Sequence, residues 1–152
     1  MTTLLTDEHL AWIGHESAPV QVEVNRRDIV RYAVATEQVQ EKYRRGDEAP
    51  LMFLFNLFSP LRGPDELRSD GLPRGSGGGL KLPLSRVMAG GTEVVQHRPI
   101  RPGDRLTGVT RIRNLYEKQG RQGPLIFTER ELVVTDAEGA PVLNEVQTSI
   151  AR

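Results

Sequence analysis

Three histidines are the only side chains of this sequence whose ordinary pKa lies near neutral pH, so they are the first candidates for acid–base chemistry. His9 and His15 fall in or just after a predicted first helix, where exposed polar residues need no special explanation. His97 falls in a predicted strand beside Arg98, and the only acid nearby in the sequence that could orient it as a base is Glu93. We therefore expect surface roles for His9 and His15 and keep His97 as a candidate base.

Other catalytic signatures are missing from the sequence. The chain has no cysteine, which excludes disulfide bonds, thiolate zinc sites and a cysteine nucleophile. No histidines or aspartates are paired at the spacing of metal ligands, so we expect no metal. Ser76, in the run RGSGGG, lacks the preceding strand and following helix of a nucleophile elbow. The overlapping run GSGGGLK lacks the phosphate-loop pattern and indicates a flexible loop.

A second kind of chemistry, anion binding, is indicated by the run YEKQGRQGPLIF. Lys118 and Arg121 flank glycines at a predicted hairpin tip, where the backbone can approach a ligand and the cations can meet phosphate or carboxylate. The alternative is a solvated hairpin tip that uses glycine only for its backbone freedom. The residues alone leave both interpretations open.

Composition limits the possible partners. The chain has 152 residues, with 20 basic and 20 acidic side chains. This balance gives no reason to expect a nucleic-acid or membrane partner. The length suits a single domain over residues 1–152. The N-terminal run lacks a basic region and a long apolar segment, so no signal peptide is expected, and the missing cysteines fit a cytoplasmic protein.

The N-terminal half predicts short helices around one strand. We expect a helix over residues 7–14, a strand from Val20 to Val24, and a helix from Arg26 to about Val39 with Asn25 as its N-cap. The apolar run Leu51 to Phe58 lies between two prolines and predicts a short buried helix, with a buried strand as the alternative. Residues 59–83 are rich in glycine, proline and serine and predict a long loop, functional or mobile.

The C-terminal half predicts four strands. Alternating apolar residues indicate strands over residues 92–100, 105–118, 124–136 and 141–152. Pro102 and Gly103 suit the two central positions of a type II turn, and glycine-containing hairpins join the later strands. Helices followed by antiparallel strands indicate an α+β fold.

Taken in order, several segments resemble the MaoC-like hydratases and dehydratases. They are RRDIVRYAVAT, GDEAPLMFLF, LRSDGLPR, LPLSRVMAGGTEVVQHRPIRPGDRL and YEKQGRQGPLIFTERELVV. The likeness is strongest to the branch with 3-methylfumaryl-CoA hydratase and mitochondrial 3-hydroxyacyl-thioester dehydratase, and covers about residues 10–150. It implies a hot-dog fold, an antiparallel sheet wrapped around a central helix. It also implies a lyase of fatty acid metabolism that hydrates enoyl thioesters of CoA or acyl carrier protein, or the reverse.

The segment from Arg31 to Arg45 is where this sequence departs from that family. The family motif Gly-Asp-x-Asn-Pro-x-His follows the central helix and carries the catalytic Asp and His. Aligned without gaps, its five named positions are occupied here by Glu37, Gln38, Gln40, Glu41 and Tyr43. An amide cannot transfer protons as a carboxylate does, and a tyrosine with an ordinary pKa near 10 is a poor base. The resemblance therefore implies a substrate-shaping half without its own catalytic residues.

The same resemblance implies partners and binding residues. In this family, acyl chains bind between two hot-dog units, so we expect a second hot-dog subunit, identical or different, and no cofactor beyond a CoA thioester as substrate. Candidate substrate or CoA contacts are Tyr43, Arg86, Arg98, Arg101, Lys118 and Arg121. Two alternatives remain open: a non-enzymatic homodimer that binds acyl thioesters, and an active homodimer that uses Tyr43, His97 or Glu37.

Overall fold

The fold is built on one antiparallel sheet. The computed structural model describes residues 3–55, 57–71, 73–74 and 79–152. Its strands are β1 Val20–Glu23, β2 Val87–Gln96, β3 Arg105–Gly120, β4 Gly123–Thr135 and β5 Pro141–Ala151. Its helices are α1 Asp7–Leu10, α2 Arg26–Ala35, α3 Glu41–Arg44 and a 3-10 turn at Pro64–Glu66. All strand pairs are antiparallel in the order β1–β3–β4–β5–β2, which confirms the α+β prediction.

The central helix packs on one face of this sheet. Ile29 and Ala33 of α2 are fully buried, and Ile29 belongs to a core cluster with Leu106, Val134 and Leu143 from three strands. The spacing of four residues places both helix residues on the same side of α2, which explains why a short helix can cover the sheet. The expected hot-dog fold, a sheet wrapped around a central helix, is confirmed.

The connections between strands follow the predicted turn chemistry. Gly103 has φ of 87°, as the third residue of a type II turn requires, and Asp104 donates its N–H to the carbonyl of Arg101. In the turn from β4 to β5, the side chain of Asp136 accepts hydrogen bonds from the N–H groups of Glu138 and Ala140 at 3.1 and 2.8 Å. These side-chain bonds fix the hairpin that returns β5 across the sheet.

Two helix predictions were too long. The first helix covers only Asp7–Leu10, and turns lead on to Gly14, where φ is 87°. The second ends at Ala35 instead of Val39, because Glu37 turns the backbone into the left-handed region with φ of 54°. Asn25 is the N-cap residue of α2, as expected, but its side chain makes no capping hydrogen bond.

The prediction for Leu51 to Phe58 was wrong, since the described residues of this run form consecutive turns. Phe53, Phe55 and Leu57 each donate a backbone N–H to the residue three positions earlier. The side chains of Phe53, Leu54 and Phe58 nevertheless fill the core beside α2. Phe58 packs so closely on β3 that a Cβ at Gly108 would lie 2.5 Å from its ring. Burial, rather than helix formation, accounts for the apolar composition of this run.

The loop over residues 59–83 contains local structure. It includes the 3-10 turn and an isolated bridge between Leu67 and Pro73, and Leu80 is buried in a second core cluster. Ser76 and its neighbouring glycines, residues 75–78, lie outside the described residues. Across the described ranges, no helix has the length and hydropathy needed to cross a membrane.

Candidate functional site

The turn that follows α2 is closed by backbone hydrogen bonds. Gln38 donates its N–H to the carbonyl of Ala33 at 2.8 Å, and Glu37 donates to Val34 at 3.1 Å. With Glu37 in the left-handed region, this is the pattern of a Schellman helix end. Glycine is the residue that adopts this conformation at least cost.

The next residues begin the short helix α3. Gln40 is its N-cap, with φ of −71° and ψ of 130°, and Glu41 is its first helical residue. Asparagine is favoured at an N-cap and proline at the first helical position. The backbone therefore places Glu37, Gln40 and Glu41 in conformations suited to the Gly, Asn and Pro of the family motif.

Gln38 and Tyr43 are the residues aligned with the Asp and His of the family motif, and neither side chain is suited to proton transfer. Gln38 is half-buried and donates a weak hydrogen bond to the hydroxyl of Thr36 at 3.3 Å. Tyr43 is half-buried, and the ammonium of Lys42 lies 4.8 Å from its ring centroid. Lys42 is also bound to Glu48 at 2.8 Å, and this hydrogen bond raises the pKa of the lysine. Neither Gln38 nor Tyr43 therefore offers the carboxylate or imidazole that the family motif would carry at these two positions.

This loop is held against α2 by close packing and by charge. Arg26 binds the carboxylate of Asp47 at 2.5 Å and the carbonyl of Arg45 at 2.9 Å. The hydrogen bond from Arg26 lowers the pKa of Asp47. Gly46 has φ of 70°, and a Cβ there would lie 2.8 Å from the carbonyl oxygen of Arg26. The ion pair between Arg26 and Asp47 and the close approach at Gly46 thus fix the position of the loop against α2.

The histidines occupy three different settings. His9 accepts the N–H of Thr6 at 3.0 Å in a helix-end arrangement, and His15 packs edge-on against Trp12 with centroids 4.6 Å apart. His97 Nε2 lies 3.0 Å from Asn144 Oδ1, and Asn144 in turn donates to Glu131 at 3.4 Å. Sequence reasoning named only Glu93 near His97, because its partner Asn144 lies 47 residues away on β5. The network is on the face of the sheet opposite α2.

The predicted basic contacts are divided between the two ends of the sheet. Arg98 and Arg101 lie in the connection after β2, where Arg98 pairs with Asp104 at 2.8 Å and with Asp136 at 3.7 Å. Arg86 precedes β2, and Lys118 and Arg121 lie at the β3–β4 hairpin, at the opposite end. The ten residues of β2 separate the groups by roughly 30 Å. One phosphate group therefore cannot contact both sets.

Lys118 lies beside aromatic rings on the sheet. The rings of Tyr116 and Phe127 are stacked with centroids 5.1 Å apart, and the Lys118 ammonium lies 5.2 and 4.9 Å from the two centroids. This cation–π contact holds the ammonium over the rings. Sequence reasoning placed Lys118 at the hairpin tip, whereas β3 continues two residues beyond it to Gly120.

Arg86 and Arg121 line the same cleft, of about 720 Å³. The third arginine of this cleft, Arg152, was missed because it is the last residue of the sequence and no motif surrounds it. A second cleft, of about 530 Å³, lies on the α2 side of the sheet between Trp12 and Phe58.

Charged and polar residues lie among the largely apolar lining of the second cleft. Glu145 is only 2% exposed and accepts a hydrogen bond from Gln147, while burial lowers the pKa of the neighbouring Arg130. An alkyl chain laid here would further desolvate charged groups at a cost in free energy. Within the described chain, neither cleft nor any other place holds a cluster of three or more side chains that could bind a metal ion.

Comparison with known proteins decides the family. A model of the "FAS1-like, dehydratase domain region" matches residues 11–145. The chain belongs to this MaoC-like dehydratase family. The predicted resemblance is thereby confirmed.

Two curated relatives are similar in sequence to this MaoC-like chain. A mesaconyl-C(4)-CoA hydratase of Chloroflexus aurantiacus is 31% identical over 120 residues, which cover 78% of the chain and 42% of the hydratase. The chain thus spans less than half the length of that enzyme. A UPF0336 protein of Saccharopolyspora erythraea is 28% identical over 151 residues, covering 93% of the chain and 90% of the relative.

Solved structures share the fold at lower identity. The ChsH1–ChsH2 complex of Mycobacterium tuberculosis matches with a TM-score of 0.64 and 18% identity, covering 95% of this chain and 94% of that one. A chain of the HadBC 3R-hydroxyacyl-ACP dehydratase complex from the same organism matches with a TM-score of 0.59 and 16% identity, covering 88% and 92%. Both structures are complexes of named hot-dog subunits.

Proposed function

We propose that this chain is the substrate-shaping half of an enoyl-thioester hydratase or 3-hydroxyacyl-thioester dehydratase. The observation that carries the proposal is the segment from Glu37 to Tyr43. Its backbone has the helix end, N-cap and first helical residue suited to the catalytic motif, but Gln38 and Tyr43 replace the Asp and His. Addition of water to an enoyl thioester needs a base for the water and an acid for the α-carbon. A second hot-dog subunit supplies both groups.

The exposed edge of β2 is the surface we assign to this partner. β2 is an outermost strand of ten residues, and Val87 and Val95 are 62% and 58% exposed. His97, in line with β2, donates its N–H to Val142 of β5. Because successive residues point their N–H groups in opposite directions, Thr92, Val94 and Gln96 direct theirs away from β5. A long unpaired edge of this kind can add a strand of another chain.

Two observations support a hot-dog partner at this edge. The other outermost strand, β1, has only four residues and offers a much shorter edge. The HadBC and ChsH1–ChsH2 structures, which share this fold, are each complexes of two named subunits. We propose that the substrate is an acyl thioester of CoA or of an acyl carrier protein, acted on in the cytoplasm.

The test is reconstitution of activity. The chain is purified alone and, where a neighbouring gene encodes a hot-dog chain with an intact Gly-Asp-x-Asn-Pro-x-His motif, together with that chain. We expect hydration of crotonyl-CoA or a longer enoyl-CoA by the pair, and loss of that activity when the partner's motif histidine is changed to alanine. Robust hydration by the pure chain would contradict the proposal. Variants Tyr43→Phe and His97→Ala would then identify the unusual catalytic group.

A further inference from the structure

The cleft of about 720 Å³ at the β3–β4 end of the sheet carries three guanidinium groups. Arg86 comes from the residues before β2, Arg121 from the hairpin turn, and Arg152 from the end of β5. The other described residues of its wall are Pro83, Leu84, Ser85, Gly120, Gln122, Gly123, Pro124 and Leu125. None of these wall residues has an acidic side chain, so the charged side chains of the cleft are all positive.

Two of the arginines are fixed opposite each other by the backbone. Arg86 donates its N–H to the carbonyl of Arg152 at 3.2 Å, and Arg152 donates to the carbonyl of Arg86 at 2.8 Å. This double exchange continues the β2–β5 ladder by one pair beyond Val87 and Ala151. Residues paired in this way carry their side chains on the same face of a sheet. Like charges at such positions repel each other unless an anion lies between them.

The third arginine is delivered by a tight turn. β3 and β4 pair as far as Gly120 and Gly123, which leaves Arg121 and Gln122 as the two turn residues. Gly123 has φ of 130°, a conformation that favours glycine. The turn lies beside the end of β5 because Ile126 of β4 pairs with Ala151. Arg121 therefore reaches the cleft from the side opposite Arg86.

The three guanidinium groups of the cleft are engaged in none of the ion pairs of the described chain. The ion pairs of the described chain involve other cations, such as Arg98 with Asp104 and Arg111 with Glu131. Arg86, Arg121 and Arg152 are all exposed. Arginine forks are well suited to phosphate oxygens, which they can bind through two parallel hydrogen bonds.

We infer that Arg86, Arg121 and Arg152 form a site for the phosphate groups of the substrate's pantetheine carrier. This inference rests on the proposed function, because it assigns the site to the carrier of the acyl thioester. The volume of the cleft is within the range of small-molecule sites. Phosphate on pantetheine has two sources, free CoA and the prosthetic group of an acyl carrier protein. Arg98 and Arg101, at the far end of β2, lie outside this site.

The experiment is calorimetric titration of the whole chain with CoA, dephospho-CoA and 4′-phosphopantetheine at low and high salt. We expect CoA to bind, with affinity that falls as salt rises, because the contacts are ionic. Arg86→Gln, Arg121→Gln and Arg152→Gln should each weaken binding about tenfold, the loss expected for a hydrogen bond to a charged group. Arg27→Gln, at an exposed arginine of α2, is the matched control and should bind like the unaltered chain.

Each outcome bears on the site. CoA bound much more tightly than 4′-phosphopantetheine assigns the site to free CoA, and equal affinities assign it to the phosphate that CoA shares with the prosthetic group of a carrier protein. Absence of binding by the folded chain, or equal losses in Arg27→Gln and the cleft variants, would overturn the inference. Circular dichroism verifies that each variant is folded. None of these titrations involves hydration, so failure of the site is distinct from failure of the proposed activity.

Discussion

The backbone N–H of Gln38 donates to the carbonyl of Ala33 over 2.8 Å, and this bond closes α2 through a left-handed residue, Glu37. The turn after α2 thus has a left-handed residue at a position where glycine would adopt the same backbone with less strain. Glu37 has a consequence for the stability of the chain, and Gln38 has one for its chemistry.

Replacing Glu37 with glycine should stabilise the chain. The left-handed conformation costs an ordinary residue about 1–2 kcal/mol, and part of the gain is offset by the greater freedom of glycine in the unfolded chain. We expect the free energy of unfolding to rise by about 0.5–1 kcal/mol, measured by urea denaturation. Ala35→Gly, within the last turn of α2, should instead lower it by about 1 kcal/mol. A loss of stability in Glu37→Gly would show that the glutamate side chain contributes more than its backbone costs.

Installing the missing pair should create activity in the chain alone. In the double variant Gln38→Asp with Tyr43→His, the carboxylate and imidazole stand on a backbone already suited to them. A positioned acid or base typically contributes a factor of about 10² to 10⁴. We expect enoyl-CoA hydration at least about tenfold above that of the unaltered chain, while each single variant stays at its level. A folded double variant without activity would show that the two side chains do not converge on a substrate.

Arg98 should be important for stability, since it joins two connections at the same end of the sheet. Its guanidinium binds Asp104 at 2.8 Å and lies 3.7 Å from Asp136, and the bond to Asp104 raises its pKa. Asp104 also accepts the N–H of Arg101 at 2.9 Å. We expect Arg98→Met to lower the free energy of unfolding by about 1–2 kcal/mol. Arg101→Met removes an exposed side chain and should change the melting temperature little.

Glu131 should make stability depend on acid pH. Burial alone would raise its pKa, but hydrogen bonds from Arg111 and Asn144 outweigh burial and lower it below the usual 4.5. A lowered folded-state pKa means that the ionised carboxylate stabilises the fold above pH 4.5, and that this contribution is lost as pH falls through the folded value.

The variant Glu131→Gln removes that contribution. We expect a loss of about 1–2 kcal/mol in the free energy of unfolding at pH 7 and a smaller loss at pH 3, measured by urea denaturation. Glu138→Gln, at an exposed position in the β4–β5 turn, serves as the control. An equal loss at both pH values would show that shape, and not charge, makes Glu131 stabilising.

Three of the strands were predictable because their pattern is local. Alternation of apolar residues placed β3, β4 and β5 to within two residues at each end, whereas the strand predicted over residues 92–100 lies at Val87–Gln96. Leu51 to Phe58 has no such period, since its turns bury side chains on several sides, and composition alone could not distinguish turns from a helix. The end of α2 at Ala35 was missed because a glutamate at position 37 does not indicate a left-handed backbone.

The pairings at the candidate sites were not predictable from the sequence. Arg86 meets Arg152, and His97 meets Asn144, through the register of β2 on β5. That register includes an irregularity between Ala89 and Gly91, which shifts every later pair by one residue. Arg86 and Arg121 were candidates from the sequence. Their position in one cleft with Arg152 follows only from the pairing of the strands.

The edge of β2 offers the most direct test of the proposed partner surface. Thr92 is exposed, and its N–H points away from β5, so proline there removes no hydrogen bond of the chain's own sheet. We expect Thr92→Pro to remain folded but to lose association with the partner hot-dog chain, measured by analytical ultracentrifugation. Glu93→Pro, one residue on, removes a bond to β5 and should destabilise the chain itself. Undiminished association of Thr92→Pro would place the partner on another surface and leave the edge of β2 exposed in the complex.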